Sequence, residues 1–248
     1  MRLEVFYAPH QVASGDTAGR LVAVIDVLRA STSIAVALAN GARAVVPLDS
    51  PDDVVMRAKA FAREEVRLAG ELKMLPIPGF DLGNSPREFT AENVAGKTVL
   101  ISTTNGTGAL TAVHGARDVV VASYVNFTPV LAMLRSALRG GTDAAIVCAG
   151  RGRQFALEDA ACAGRYVNHV TRELIDVDFN DAAVAAGLID RVYADDLMRL
   201  FLASGHGHAL RDAGFGEDLP VCGAVDAYPV VPIYQDRLIT KIGPERER

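Results

Sequence analysis

Three cysteines, Cys148, Cys162 and Cys222, are all that this 248-residue chain contains, an odd number with no C-x-x-C spacing. That excludes a disulfide framework and a zinc knuckle, and points to a reducing cytoplasm. No run of about 18 apolar residues occurs, and the opening MRLEVFYAPH has no basic flank leading into a long apolar stretch. The sequence therefore reads as a soluble, unexported protein with no membrane partner. There is no Lys/Arg run, and the net charge is -5; both argue against a nucleic-acid surface. The five histidines form no H-x-x-x-H pattern. His206 and His208, flanking Gly207, are expected on a loop surface rather than at a metal. Gly150 to Gly152 is neither a Walker loop nor G-x-G-x-x-G, so no nucleotide cofactor is read from it. Aromatics are only 6% of the chain, yet half of it is hydrophobic, much of that Ala and Val. This is the balance of a globular enzyme large enough to bury a substantial core.

What is present is alternation. Apolar, β-branched runs at Leu21 to Ile25, Ala44 to Leu48, Val66 to Gly70, Thr98 to Ser102, Asp118 to Ser123 and Ala144 to Val147 are each followed by a polar loop or a helical pattern. Helices are expected from about Ser31 to Gly41, Ser50 to Glu65, Pro129 to Leu138 and Leu157 to Leu174. A helical region follows from Asp181, then an extended tail near Val230 to Ile239. Such a pattern gives an α/β fold, a three-layer α/β/α sandwich on a mostly parallel or mixed sheet. With no Pro-, Gly- or Ser-rich linker, residues 1–248 read as one domain. The strand, polar loop, helix unit recurs after Ile25, Ser102 and Val147, which suggests two similar subdomains with no legible boundary. A homodimer is the base-rate expectation.

In an open α/β sheet, loops after strands lie along the carboxyl edge, where ligands bind. Three such loops, Asp26 to Thr32, Thr103 to Thr107 and Cys148 to Arg153, would meet there with the acids Asp26, Glu71, Asp81, Glu158 and Asp159 and the arginines Arg29 and Arg151. Carboxylates hold Mg²⁺, while Arg and backbone N–H groups hold phosphate oxygens, so the inventory suits a small anionic phosphate-ester substrate with a hard cation. Bland explanations compete. Ser31 or Thr32 can cap a helix, Ser85 with Glu88 has the spacing of a capping box, and Glu158 and Asp159 suit a first helical turn, worth roughly 0.3 to 1 kcal/mol. Asp81 and Asn84, just upstream of Ser85, exceed what one cap needs. Asp26, directly after a buried strand, must be solvated or paired at a cost. Cys148 is not a phosphatase nucleophile, because the arginine such a loop needs six positions on is Gln154; a small buried hydrophobe is its expected role.

Asp26-Val27-Leu28-Arg29-Ala30, Gly79-Phe80-Asp81-Leu82-Gly83-Asn84-Ser85-Pro86, Thr103-Thr104-Asn105-Gly106-Thr107, and Cys148-Ala149-Gly150 followed by Leu157-Glu158-Asp159 together resemble the 2-phosphosulfolactate phosphatase family. The motifs span roughly residues 20 to 165. The resemblance implies a Mg²⁺-dependent phosphatase that hydrolyses (2R)-2-phospho-3-sulfolactate to 3-sulfolactate and phosphate, a step that belongs to coenzyme M synthesis in methanogenic archaea. Joined with the reading of the loops, it suggests Asp26 and Asp81, with Glu71, as metal ligands, Arg29 and Arg151 as anion clamps, and Glu158 or Asp159 as the acid for the leaving alkoxide. Ser31, Asn84, Ser85 and Thr104, with the Asn105-Gly106-Thr107 amides, would contact the substrate. One departure stands out: Leu72 follows Gly70-Glu71 where the family usually has arginine, which removes a candidate sulfonate or phosphate contact. The rival readings are a phosphatase for another small 2-phospho-carboxylate and a non-catalytic binder of an anionic metabolite.

Overall fold

The computed structural model describes residues 1–13 and 15–242. In chain order the strands are β1 (Arg2–Phe6), β2 (Leu21–Ile25), β3 (Ala44–Pro47), β4 (Val66–Leu72), β5 (Leu75–Pro76), β6 (Thr98–Ser102), β7 (Asp118–Ala122), β8 (Ala144–Cys148), β9 (Asp178–Phe179), β10 (Pro232–Gln235) and β11 (Leu238–Lys241). The helices are α1 (Ala30–Ala39), α2 (Pro51–Ala58), α3 (Ala91–Val94), α4 (Gly106–Ala112), α5 (Phe127–Arg139), α6 (Leu157–Thr171), α7 (Asp181–Tyr193), α8 (Leu197–Ala203), α9 (Gly205–Asp212) and α10 (Asp218–Cys222). All strands join one sheet in the order β5-β4-β6-β3-β11-β10-β7-β2-β8-β1-β9.

The sheet is mixed in a particular way. β7, β2, β8, β1 and β9 are mutually parallel, and so are β4, β6 and β3. Between these groups lies the β10–β11 hairpin, antiparallel to β7 on one side and to β3 on the other. Three antiparallel steps separate β7 from β3, so the two parallel groups run in opposite directions. The extended tail expected from the sequence is thus the seam of the sheet, which sequence alone does not show because a short strand carries no mark of its partners.

Alternation along the strands assigns the layers. Leu21, Ala23 and Ile25 of β2 face a core shared with α5, α6 and the C-terminal helices, while Val22 and Val24 face the other way, toward α1 and α4. That second core also takes Val45 of β3, Val99 and Ile101 of β6, and Ile239 of β11. Both strand groups therefore close on α1, buried over Ala30 to Leu38. Val46 and Leu100 point outward beneath Val54 of α2. The loops after β2 and β6 meet despite the opposed directions of their strands, Gly106 lying against Asp26 and Ala30.

Helix ends differ from expectation in places. Helix α1 begins at Ala30 without a side-chain cap: Ser31 Oγ instead accepts the Asp26 N–H at 2.8 Å, and Thr32 Oγ1 donates to Val27 O at 2.9 Å. Gly41 does end α1, at φ 91°, with Ala42 N donating to Ala37 O. The Ser85–Glu88 capping box does not form. Ser85 Oγ donates to Asp218 Oδ1 at 2.6 Å, and Glu88 Oε2 takes the Gly83 N–H at 2.6 Å. A buried carboxylate competes successfully for a hydroxyl that local spacing would assign to the helix.

Candidate functional site

Two strand ends and two helix starts supply a cluster of acids. Asp26 closes β2, Glu71 lies at the end of β4, and Glu158 and Asp159 open α6; all four are buried. His206, in the first turn of α9, completes the group through Nδ1, 3.1 Å from Glu158 Oε1. Far from lying on a loop surface, His206 is buried, whereas His208 is exposed. The sequence did not reveal it because the histidine's partner lies 48 positions away.

Each acid has a distinct attachment. Asp159 spans two loops, accepting the Val27 N–H at 2.9 Å and the Gly150 N–H at 3.1 Å. Burial first, then the neighbouring Glu158 and Asp26 charges, push its carboxyl well above the usual range. Glu71 accepts the Met74 N–H at 2.6 Å and the Thr104 N–H at 2.8 Å, so it fixes the turn after β4 and the loop after β6 together. Asp26 Oδ1 takes the Ala30 N–H at 3.3 Å. Burial raises the Asp26 pKa from 3.8 to about 6, with Glu71 and Glu158 adding and His206 opposing. On its other side, Asp26 Oδ2 faces Gly106: a Cβ there would lie 3.0 Å from Oδ2 and 2.7 Å from Ala30 Cβ. Glycine at 106 keeps that carboxylate oxygen clear.

The arginines are placed differently from one another. Arg29 is fully buried, its Nη1 2.7 Å from Asp218 Oδ2, its Nη2 3.0 Å from Met74 O, and its guanidinium 4.4 Å from the centre of the Phe215 ring. Asp218 also receives Ser85, so this one acid organises two residues that the sequence marks for anion binding. Nothing in the local sequence signals Asp218. Arg151 is exposed and donates from Nη1 to Gly205 O, bracing the turn that carries His206.

Among the other sequence candidates, Asp81 does not join the acids. Its side chain is paired with Arg63 and accepts the Leu68 N–H at 2.9 Å, on an exposed edge of β4. Burial would raise its pKa, but the Arg63 hydrogen bond and the Leu68 N–H prevail and hold it below the usual value. Asp81 therefore stands apart from Asp26 and Glu71, the other two carboxylates expected at a metal. Asn84 is buried with its Oδ1 unpartnered, and its carbonyl accepts Ser33 Oγ at 2.8 Å. Asn105 Oδ1 accepts the Gly152 N–H at 3.1 Å, and Thr107 is buried beside Thr103. Cys148 is fully buried, and burial pushes its thiol far up, as fits a small hydrophobe.

Among the described residues no group of three or more His, Cys, Asp or Glu side chains is arranged as a metal cage. Mg²⁺ seldom uses one, since it is generally held by one or two carboxylates, waters and substrate phosphate. Asp26, with the clear space beside Oδ2, and Glu71 are hard oxygen donors that fit such a site.

Fold and site thus define an α/β protein with a buried carboxylate cluster where two strand groups converge. A profile of the 2-phosphosulpholactate phosphatase family matches residues 6–237. The chain is 39% identical over 221 residues to a "Probable 2-phosphosulfolactate phosphatase" of Symbiobacterium thermophilum, covering 89% of this chain and 94% of that one. It is 33% identical over 239 residues to a protein of the same name from Caldanaerobacter subterraneus, covering 96% and 98%. A third, from Gloeobacter violaceus, is 38% identical over 232 residues, with 94% of each covered. The chain belongs to the 2-phosphosulfolactate phosphatase family.

Proposed function

We propose that this protein is a Mg²⁺-dependent phosphatase that converts (2R)-2-phospho-3-sulfolactate to 3-sulfolactate and phosphate. The observation that carries the reading is the charge balance of the cluster. Four buried acids converge with His206 as their basic neighbour, while the nearby Arg29 is already neutralised by Asp218. An anionic ester entering such a site needs a cation to offset the carboxylates. Bound at Asp26 and Glu71, Mg²⁺ would neutralise phosphoryl oxygens.

The chain's own residues divide the remaining work. Asp26, with a pKa of about 6, is mostly ionised at neutral pH, so its free oxygen is available as a donor. Glu158 and His206 form the proton-handling pair: Glu158 fixes the imidazole through Nδ1, leaving Nε2 to hold or give a proton. Asp159 ties the loops after β2 and β8 together, while Glu158 meets His206 Nδ1, so Glu158 is assigned proton transfer to the leaving alkoxide. Arg29 anchors Met74 over the site rather than standing free as a clamp.

The test is phosphate release from 2-phosphosulfolactate with Mg²⁺ and with EDTA. Release that requires Mg²⁺ supports the reading; no release under either condition refutes it. A second reading, a different small 2-phospho-carboxylate as substrate, rests on Leu72, which stands 59% exposed where the family usually has arginine. Higher kcat/KM for phospholactate than for the sulfonated ester would establish it.

A further inference from the structure

Beside the acid cluster lies a recess of about 310 Å³, lined by Pro9, His10, Thr104, Asn105, Ala149 and Arg153 among others. Two features tie it to the site. Thr104, on its wall, donates its N–H to Glu71 Oε1 at 2.8 Å. Asn105, the next residue, accepts the Gly152 N–H at 3.1 Å and thereby locks the loop after β8 to the loop after β6. That loop is a tight hairpin: Arg151 and Gln154 exchange backbone hydrogen bonds at 2.9 and 3.0 Å, and the two residues between them have positive φ, 57° at Gly152 and 65° at Arg153. Left-handed backbone is unfavourable for an arginine, so the conformation is imposed by the hairpin and not by the residue. The consequence is a fixed origin for the Arg153 side chain at the recess.

The chemistry of the recess is cationic. Arg153 lines it and makes no salt bridge to any acid among the described residues, unlike Arg29 and Arg63. His10 lines it too, and no acidic side chain does. It is the counterpart of the carboxylate cluster, one residue away across Thr104. The proposed substrate carries a phosphate, a carboxylate and a sulfonate: the phosphate needs a cation among acids, and a second anion of the same molecule needs a guanidinium, which matches that pair of environments.

We infer that Arg153, aided by His10, forms the subsite for the non-transferred sulfonate of the substrate. This rests on the phosphatase reading for the other half of the substrate, but the subsite itself binds product as well as substrate. Arg153 is a specificity determinant of the donor type that rejects ligands lacking the matching anion.

The experiment compares wild type with Arg153→Gly, which suits the left-handed backbone, and Arg153→Lys, which keeps the charge. Calorimetry with 3-sulfolactate and with lactate reads the subsite without any reaction. The expected result is a tenfold or greater loss of 3-sulfolactate affinity in Arg153→Gly, partly restored in Arg153→Lys, and a sulfolactate-over-lactate preference that collapses. Equal 3-sulfolactate affinity in wild type and Arg153→Gly, or no binding by wild type, overturns the assignment. Kinetics with 2-phosphosulfolactate and phospholactate complete the test. The ratio of their kcat/KM values should fall about 30-fold in Arg153→Gly; an equal loss on both esters would mean that Arg153 contacts a group they share, which also overturns it. If neither ester is hydrolysed by wild type, the phosphatase reading fails while the binding comparison still decides the subsite.

Discussion

At the residue scale, the site holds ionisable groups where burial works against charge. Asp26 binds its proton more tightly folded than unfolded, since its pKa rises from 3.8 to about 6. Its burial therefore costs no stability below about pH 4, and the cost grows as pH climbs through 6, reaching about 3 kcal/mol. Asp26→Asn should accordingly raise the unfolding free energy from urea titration at pH 7.5 by about 2 to 3 kcal/mol, and lose that advantage near pH 4, while phosphate release falls at least a hundredfold. A variant no more stable than wild type at pH 7.5 would contradict the buried carboxylate. Asp218 makes the opposite case. Removing it as Asp218→Ala leaves the Arg29 guanidinium buried and unpaired, and a loss of about 3 to 5 kcal/mol is expected from chemical denaturation. His206→Gln should lower kcat by about 10²-fold or more and remove one limb of the pH–rate profile; an unchanged profile would transfer the proton step to another group.

At the element scale, the acids owe their position to helix packing. Helix α6, which carries Glu158 and Asp159, crosses α7 so closely that a Cβ on Gly164 would lie 1.9 Å from the Ala186 carbonyl oxygen. The obstruction is backbone, so no rotamer change relieves it. Gly164→Ala should therefore destabilise by about 1 to 3 kcal/mol or more, and activity should fall along with stability as the start of α6 shifts. Gly108→Ala, with nothing within 4 Å of its would-be Cβ, is the control that should keep wild-type folding apart from the ordinary helix preference for Ala. Measuring both by urea denaturation separates a packing effect from a generic glycine effect. The capping box shows the limits of local reasoning at this scale: spacing alone matches Ser85 to Glu88, yet each finds a different partner.

At the scale of the whole molecule, the β10–β11 hairpin stitches two opposed parallel groups into one sheet, with Ile239 fully buried at the seam. Ile239→Asp places an unpaired charge there and should abolish the cooperative thermal transition followed by circular dichroism; a normal transition would mean that the two groups are stable apart. No helix among the described residues is long and apolar enough to cross a membrane. The βα units from Leu21 to Thr171 were legible because buried parallel strands are continuous β-branched runs and helices announce themselves by period and terminal residues. The family was legible too, since motifs such as Asp26 to Ala30 and Thr103 to Thr107 are contiguous in the chain. What the sequence by itself determined, then, was the alternation of elements, the family and the acids Asp26, Glu71, Glu158 and Asp159 as candidates, all of them local properties. Only the tertiary structure decided that Asp81 turns away to Arg63, that His206 and Asp218 come in from the C-terminal helices, and that the tail lies mid-sheet. Those depend on which residues distant in the chain become neighbours, and burial and pairing energies fix that over the whole fold rather than in any one stretch.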